Sequence, residues 1–141
     1  MTSVGRVIDP AACPLDDAGF IENCRIQLDR DGVVTIPGFL RDEAVAALVA
    51  EAEAARDKAF FTSSTHNVYL TKPDPALAGD HVFNRQITSS KGCITTDQVP
   101  AGSGLHTIYD APSFRRFLAQ VVGEAALHEY ADPLSSINVH Y

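Results

Sequence analysis

Two stretches of the chain carry apolar residues at helical spacing. In residues 41–60 the apolar side chains recur at i, i+3, i+4 and i+7 on one helical face, at Val45, Leu48, Val49 and Ala52. In residues 112–123 a proline stands at the first helical position and a glycine at the last, as helix termini prefer. Each pattern therefore predicts a helix. A third helix, shorter, is predicted over residues 20–28, ending before Asp31-Gly32.

The strand signals are short. The β-branched run VVTI (33–36) is closed by Pro-Gly, HNVYLT (66–71) alternates in polarity, and residues 84–104 have β-propensity at their centre. At the end of the chain, Ile137, Val139 and Tyr141 alternate with Asn138 and His140, which predicts a strand with one apolar and one polar face. Residues 1–19 show no period and are predicted to form an irregular arm. The fold class predicted for the single segment 1–141 is α+β.

Composition narrows the function classes. The 141 residues suffice for one domain, and a net charge of −7 argues against nucleic acid, which requires a basic face. No apolar run approaches the roughly 20 residues that span a bilayer, and no signal peptide is recognised at the start. The three cysteines have no CxxC spacing, so we expect reduced thiols and a cytoplasmic protein without nucleic-acid or membrane partners.

The sequence contains no complete catalytic motif. The five histidines form no HExxH motif and no pair at i, i+4, so no catalytic residue and no metal ligand is assigned. Cys93, in SSKGCITT, is either a nucleophile with Lys91 nearby or a buried strand residue, and the β-branched residues after it favour the second interpretation. From the residues alone, the chain is a soluble α+β domain.

Four strings together carry a resemblance to a known family. They are DGVVTIPGFLRDEAVAAL at 31–48, THNVYLT at 65–71, NRQITSSKGCITTDQ at 84–98 and YADPLSSINVHY at 130–141. The combination resembles Fe(II)- and 2-oxoglutarate-dependent oxygenases of the phytanoyl-CoA dioxygenase type, in their bacterial HalD/ArpA-like branch. That branch includes free amino-acid hydroxylases and radical halogenases.

The resemblance implies that residues 20–141 are the N-terminal part of an oxygenase domain. They would supply the N-terminal helices and first strands of a double-stranded β-helix (jelly-roll, cupin-like) fold. In that family the strand resembling INVHY leads to the His-x-Asp metal motif, which would lie beyond Tyr141. Fe(II) and 2-oxoglutarate are then cofactors of the intact protein, and we expect this segment alone to bind neither tightly and to be inactive.

The resemblance also implies substrate-binding residues, for a small polar molecule such as a free amino acid. Arg85 is expected to face the substrate carboxylate, because the guanidinium fork suits a bidentate contact, although a structural ion pair is the alternative. Asp132 would meet a substrate amine or, equally, form a turn with Pro133. His66 and Asn67 would line the same cleft.

The polar residues of the terminal strand complete the implied site. Asn138 and His140 are expected to contact 2-oxoglutarate or, alternatively, the substrate. This strand is also expected to lie at a sheet edge, where self-association could occur. Two rival interpretations stay open, namely a non-catalytic binding or interaction module with the same fold, and an independent cysteine enzyme using Cys93.

Overall fold

The computed structural model of the chain describes residues 3–141. Four α-helices and three β-strands form a mixed α+β architecture, as predicted. Their order is α1 (Ala18–Asp31), α2 (Asp42–Ala55), β1 (Phe60–His66), β2 (Ile87–Ile94), α3 (Gly104–Tyr109), α4 (Pro112–Val122) and β3 (Val139–His140). Single 3-10 turns lie at Val4–Arg6, Arg56–Lys58 and Thr96–Gln98. None of the helices in this part of the chain has the length and apolar character needed to cross a bilayer.

One apolar cluster lies between α1, α4 and the N-terminal arm. The rings of Phe20 on α1 and Phe117 on α4 stack with their centroids 6.0 Å apart. Ile8 and Cys13 of the arm are almost completely buried in this cluster. The first turn of α1 is closed by Asp17, whose carboxylate accepts a hydrogen bond from the backbone N–H of Phe20 at 2.7 Å. The arm therefore has little regular secondary structure but packs into the core.

The three strands form one antiparallel sheet in the order β1-β2-β3. The β1–β2 register runs from Phe60 opposite Cys93 to His66 opposite Ile87. On the other side of β2, His140 lies opposite Cys93. The terminal strand is thus an edge strand, as expected, although it is only two residues long.

A second apolar cluster joins this sheet to α2. Ile94 and Ile137 are buried in it, against partly buried residues of α2, α3 and the chain end. The Tyr141 hydroxyl donates a hydrogen bond to the Ala52 carbonyl of α2, and the Arg56 guanidinium lies 4.8 Å from the centre of the Tyr141 ring. The attraction between the Arg56 cation and the face of the Tyr141 ring stabilises this contact in addition to the hydrogen bond. The C-terminal end of α2 therefore packs against the end of the sheet where Ile94 and Tyr141 lie.

Two predicted strands are absent from the structure. Residues 33–36 are irregular and pair with no strand, and the nearest β-type pairing is the single bridge between Ile8 and Leu40. Residues 67–71 form a turn that begins where β1 ends, and Leu70 adopts a φ of 54° that no strand allows. The predicted helix 41–60 is also too long, since β1 begins at Phe60.

Candidate functional site

The face of the sheet that does not contact α2 is open to solvent and mostly polar. Antiparallel partners lie on the same face of a sheet, and side chains alternate along each strand. The register therefore assigns nine residues to this face: Phe60, Thr62, Ser64 and His66 of β1, Ile87, Ser89, Lys91 and Cys93 of β2, and His140 of β3. We call these residues, with Asn138 beside Cys93, the polar face. All but His66 and Cys93 are exposed.

Cys93, Asn138 and His140 meet at one end of the polar face. The Cys93 thiol lies 3.5 Å from Asn138 Oδ1, and the Asn138 amide nitrogen donates to the Ser135 carbonyl at 3.0 Å. Gly92 and Tyr141 exchange both backbone hydrogen bonds, each 3.1 Å long. Cys93 and His140 are consequently a non-hydrogen-bonded pair, the arrangement in which cross-strand side chains come closest. The structure thus brings together the two residues predicted to contact 2-oxoglutarate.

His66 lies at the opposite end of the polar face. Its Nδ1 is 3.2 Å from the Asn67 carbonyl and its Nε2 is 3.2 Å from the Ser89 hydroxyl. Because a carbonyl only accepts, Nδ1 carries the proton, and in the neutral ring Nε2 accepts from Ser89. The partners of His66 and His140 on β2, Ile87 and Cys93, are six positions apart, which corresponds to about 20 Å. His66 and His140 therefore cannot contact the same small molecule in this conformation.

Asn67 is completely buried and holds the turn that follows β1. Its Oδ1 accepts hydrogen bonds from the backbone N–H groups of Tyr69 (3.2 Å) and Thr71 (3.0 Å), and its amide nitrogen donates to the Thr71 hydroxyl. An asparagine that bonds the backbone two residues ahead is a common turn device. The predicted contact between Asn67 and substrate would require this turn to open.

Arg85 is held at its position by its neighbour Asn84, a residue that the sequence analysis does not single out. Buried Asn84 accepts from the Asp74 N–H at 2.7 Å and donates to the carbonyls of Asp74 (2.8 Å) and Leu77 (3.0 Å), closing the 74–84 loop. Its loop position in NRQ, between two strand signals, is the only hint that the sequence offers. Arg85 itself is exposed, and within residues 3–141 its guanidinium forms no hydrogen bond or ion pair.

Asp132 forms a turn, the second of its two predicted roles. One carboxylate oxygen accepts from the Leu134 N–H at 2.8 Å and the other from the Ser135 hydroxyl at 2.9 Å. The backbone hydrogen bond from Leu134, followed by that from Ser135, lowers the pKa of the Asp132 carboxyl. The turn directs the chain toward Asn138 and β3, so Asp132 positions the strand that carries two of the predicted site residues.

In residues 3–141, no three His, Cys, Asp or Glu side chains come together in a group that could hold a metal ion. A facial triad of two histidines and one carboxylate does not fit these residues, so none of them is assigned to iron.

Searches against protein-family models, curated proteins and solved structures found no match to this chain.

Proposed function

We propose that residues 20–141 form the N-terminal part of a non-haem Fe(II)/2-oxoglutarate oxygenase that hydroxylates or halogenates a small polar substrate, such as a free amino acid. In this proposal the three strands belong to a double-stranded β-helix. The resemblance of the four strings supports the family. The observation that carries the proposal furthest is the polar face of the sheet, which brings Cys93, Asn138 and His140 together.

The polar face suits a small, hydrogen-bonding ligand. In a jelly roll two sheets enclose the core, so the face turned away from the outer helices lines the interior. Here that face presents hydroxyl, amide, imidazole and thiol groups. Groups of these kinds supply the polar contacts that fix the orientation of a ligand in small-molecule sites.

Arg85, Asn138 and His140 have surroundings that allow their proposed roles. Arg85, exposed on a loop anchored by Asn84, is free to pair with a substrate carboxylate through two parallel hydrogen bonds. Asn138 and His140 would orient a ligand at the other end of the polar face. In this family iron and 2-oxoglutarate supply the oxidising chemistry, and the resemblance places the iron ligands after Tyr141.

The proposal is tested by extending the chain. The reading frame is translated beyond Tyr141, and succinate formation is measured for the extended protein with Fe(II), 2-oxoglutarate and a panel of free amino acids. We expect a His-x-Asp or His-x-Gly motif soon after Tyr141 and succinate release coupled to amino-acid modification. Residues 1–141 alone are the control and should form no succinate. A stop codon directly after Tyr141, or turnover by residues 1–141 alone, would refute the proposal.

A non-catalytic binding or interaction module is the second candidate. The exposed apolar side chains of residues 60–70, including Phe60, Phe61 and Leu70, favour it because exposed apolar groups in sequence often mark interaction surfaces. Such a module would bind its ligand without forming succinate in the extended protein. The cysteine-enzyme alternative depends on Cys93 and fails if the folded protein is not alkylated there.

A further inference from the structure

The outer edge of β1 offers a complete row of backbone hydrogen-bonding groups. Because Gly92 bonds Tyr141 through both its N–H and its C=O, the backbone groups of the next residue, Cys93, point the other way, toward β1. Phe60, opposite Cys93, therefore bonds β2. The alternation then turns the N–H and C=O groups of Phe61, Ser63 and Thr65 away from the sheet.

These outward groups have no backbone partner among residues 3–141. Edge strands are usually protected by a charged side chain, a proline, a bulge or a very short length. β1 has seven residues, FFTSSTH, with an uninterrupted register and neither charge nor proline. β3, the edge at which the sequence predicts self-association, has only two residues and turns only His140 outward.

The outward row is complementary to itself. If a second copy lies antiparallel with a two-fold axis at Ser63, Ser63 pairs with Ser63 of that copy, and Phe61 pairs with its Thr65. These three pairs use all three N–H groups and all three C=O groups, since each hydrogen-bonded antiparallel pair exchanges two bonds. A register one residue away would leave some of the groups unpaired. No sequence other than that of β1 is required.

Charge also favours a second copy at this edge. The chain carries a net charge of −7, yet residues 60–71 contain no Asp, Glu, Lys or Arg. Two copies can therefore meet here without placing like charges opposite each other. Phe60 and Phe61, 73% and 57% exposed, flank the edge and would be partly covered. We infer that β1 pairs with β1 of a second copy, forming a continuous six-stranded sheet.

The experiment measures association and amide exchange on the same protein. Analytical ultracentrifugation over a range of concentrations should show a reversible monomer–dimer equilibrium, because a single strand edge is a small interface. Ser63→Pro removes the central outward N–H without removing a bond to β2. It should weaken the dimer at least about tenfold. Ser63→Ala is the matched control, since it loses the same hydroxyl contact with Ser90 but keeps the N–H and should dimerise like the unaltered chain.

Hydrogen exchange followed by NMR on the unaltered chain makes the result independent of whether the proline variant folds. The amides of Phe61, Ser63 and Thr65 should become protected as concentration rises, while those of Thr62 and Ser64 are protected throughout. A chain that stays monomeric at all concentrations, or outward amides whose exchange does not change with concentration, overturns the inference. Dimerisation of Ser63→Pro equal to that of Ser63→Ala also overturns it.

Discussion

At the scale of single residues, Arg85 is the side chain whose proposed role depends most on its chemistry. A substrate carboxylate must be held in a fixed orientation while one C–H bond is selected, and the planar guanidinium fixes direction as well as charge. In the extended enzyme, Arg85→Ala should weaken substrate binding by about 1.5–3 kcal/mol, the range for a hydrogen bond to a charged group. Arg85→Lys should keep part of the affinity and lose positional selectivity.

The measurement is calorimetric binding of the amino acid that the extended enzyme turns over, together with product analysis. Binding of 2-oxoglutarate should barely change in either variant. Arg25→Ala, at an exposed arginine of α1, is the control and should leave both affinities unchanged. Equal substrate affinity in Arg85→Ala and the unaltered enzyme would leave Arg85 without a role in substrate binding.

The buried thiol of Cys13 makes the stability of the fold depend on pH. Burial, followed by the nearby Cys24, raises the pKa of the Cys13 thiol from 9.0 to about 11. Between these values the folded chain holds a proton that the unfolded chain releases. The contribution of this thiol to the free energy of unfolding is therefore fully present below pH 9 and is lost as pH rises toward 11. The slope of the free energy against pH corresponds to the release of up to about one proton on unfolding.

Urea unfolding at a series of pH values from 8 upward checks this expectation. Cys13→Ala should be less stable at every pH, because a buried group is lost, but should show a flatter alkaline decline. Val121→Ala removes packing from the same cluster without touching a thiol, so it should lower stability and keep the full slope. Parallel alkaline declines in the unaltered chain and Cys13→Ala would contradict the assignment.

At the scale of elements, Tyr141 connects the sheet to α2. Its hydroxyl bonds the Ala52 carbonyl and its ring lies under the Arg56 guanidinium. Tyr141→Phe keeps the ring and should lower the free energy of unfolding by about 0.5–1.5 kcal/mol, the net value of one hydrogen bond. Tyr130→Phe, at a tyrosine 64% exposed, is the matched control and should have little effect. Chemical denaturation compares the two, and equal stabilities would show that the Ala52 bond contributes nothing.

The helices could be predicted from the sequence because their signals are local. In α4 the proline start, glycine end and apolar face all lie within residues 112–123, and the observed helix is Pro112–Val122. β1 could not be predicted, since Phe60–His66 has exposed residues on both faces and no alternation of polarity. The run at 33–36 has strand propensity but no partner, which only the tertiary structure determines.

The candidate site could likewise be predicted from the sequence only in part. The alternation at the chain end correctly placed Asn138 and His140 on one side, and a strand period of two needs no further information. The distance between His66 and His140 could not be predicted, because it follows from the β1–β2–β3 register. Nor could the loop-closing bonds of Asn84, whose partners lie six to ten residues away.

At the scale of the whole molecule, the two apolar clusters are connected through α2 and α3. Ser103, which caps α3, is 3% exposed and donates a hydrogen bond to the Glu51 carboxylate of α2 at 2.7 Å. Gly104, the next residue, lies against Leu48 of α2 and Val7 of the arm, where an added Cβ would be 3.4 Å from each side chain. Ser103 and Gly104 therefore link α2 to the arm that packs against α1 and α4.

The buried arm has a practical consequence for protein expression. The proposed oxygenase domain begins at residue 20, and the strings that suggest it begin at Asp31, so a chain shortened to either point is an obvious choice for expression. Val4, Ile8 and Cys13 nevertheless share a cluster with Phe117 and Val121, more than a hundred residues later in the chain. Removing the arm would expose Phe117 and Val121 to water and would lower the stability of the fold, because part of the core would be missing. Residues 4–15 belong in any recombinant version of this protein, and purification tags are better placed ahead of Met1 than in exchange for the arm.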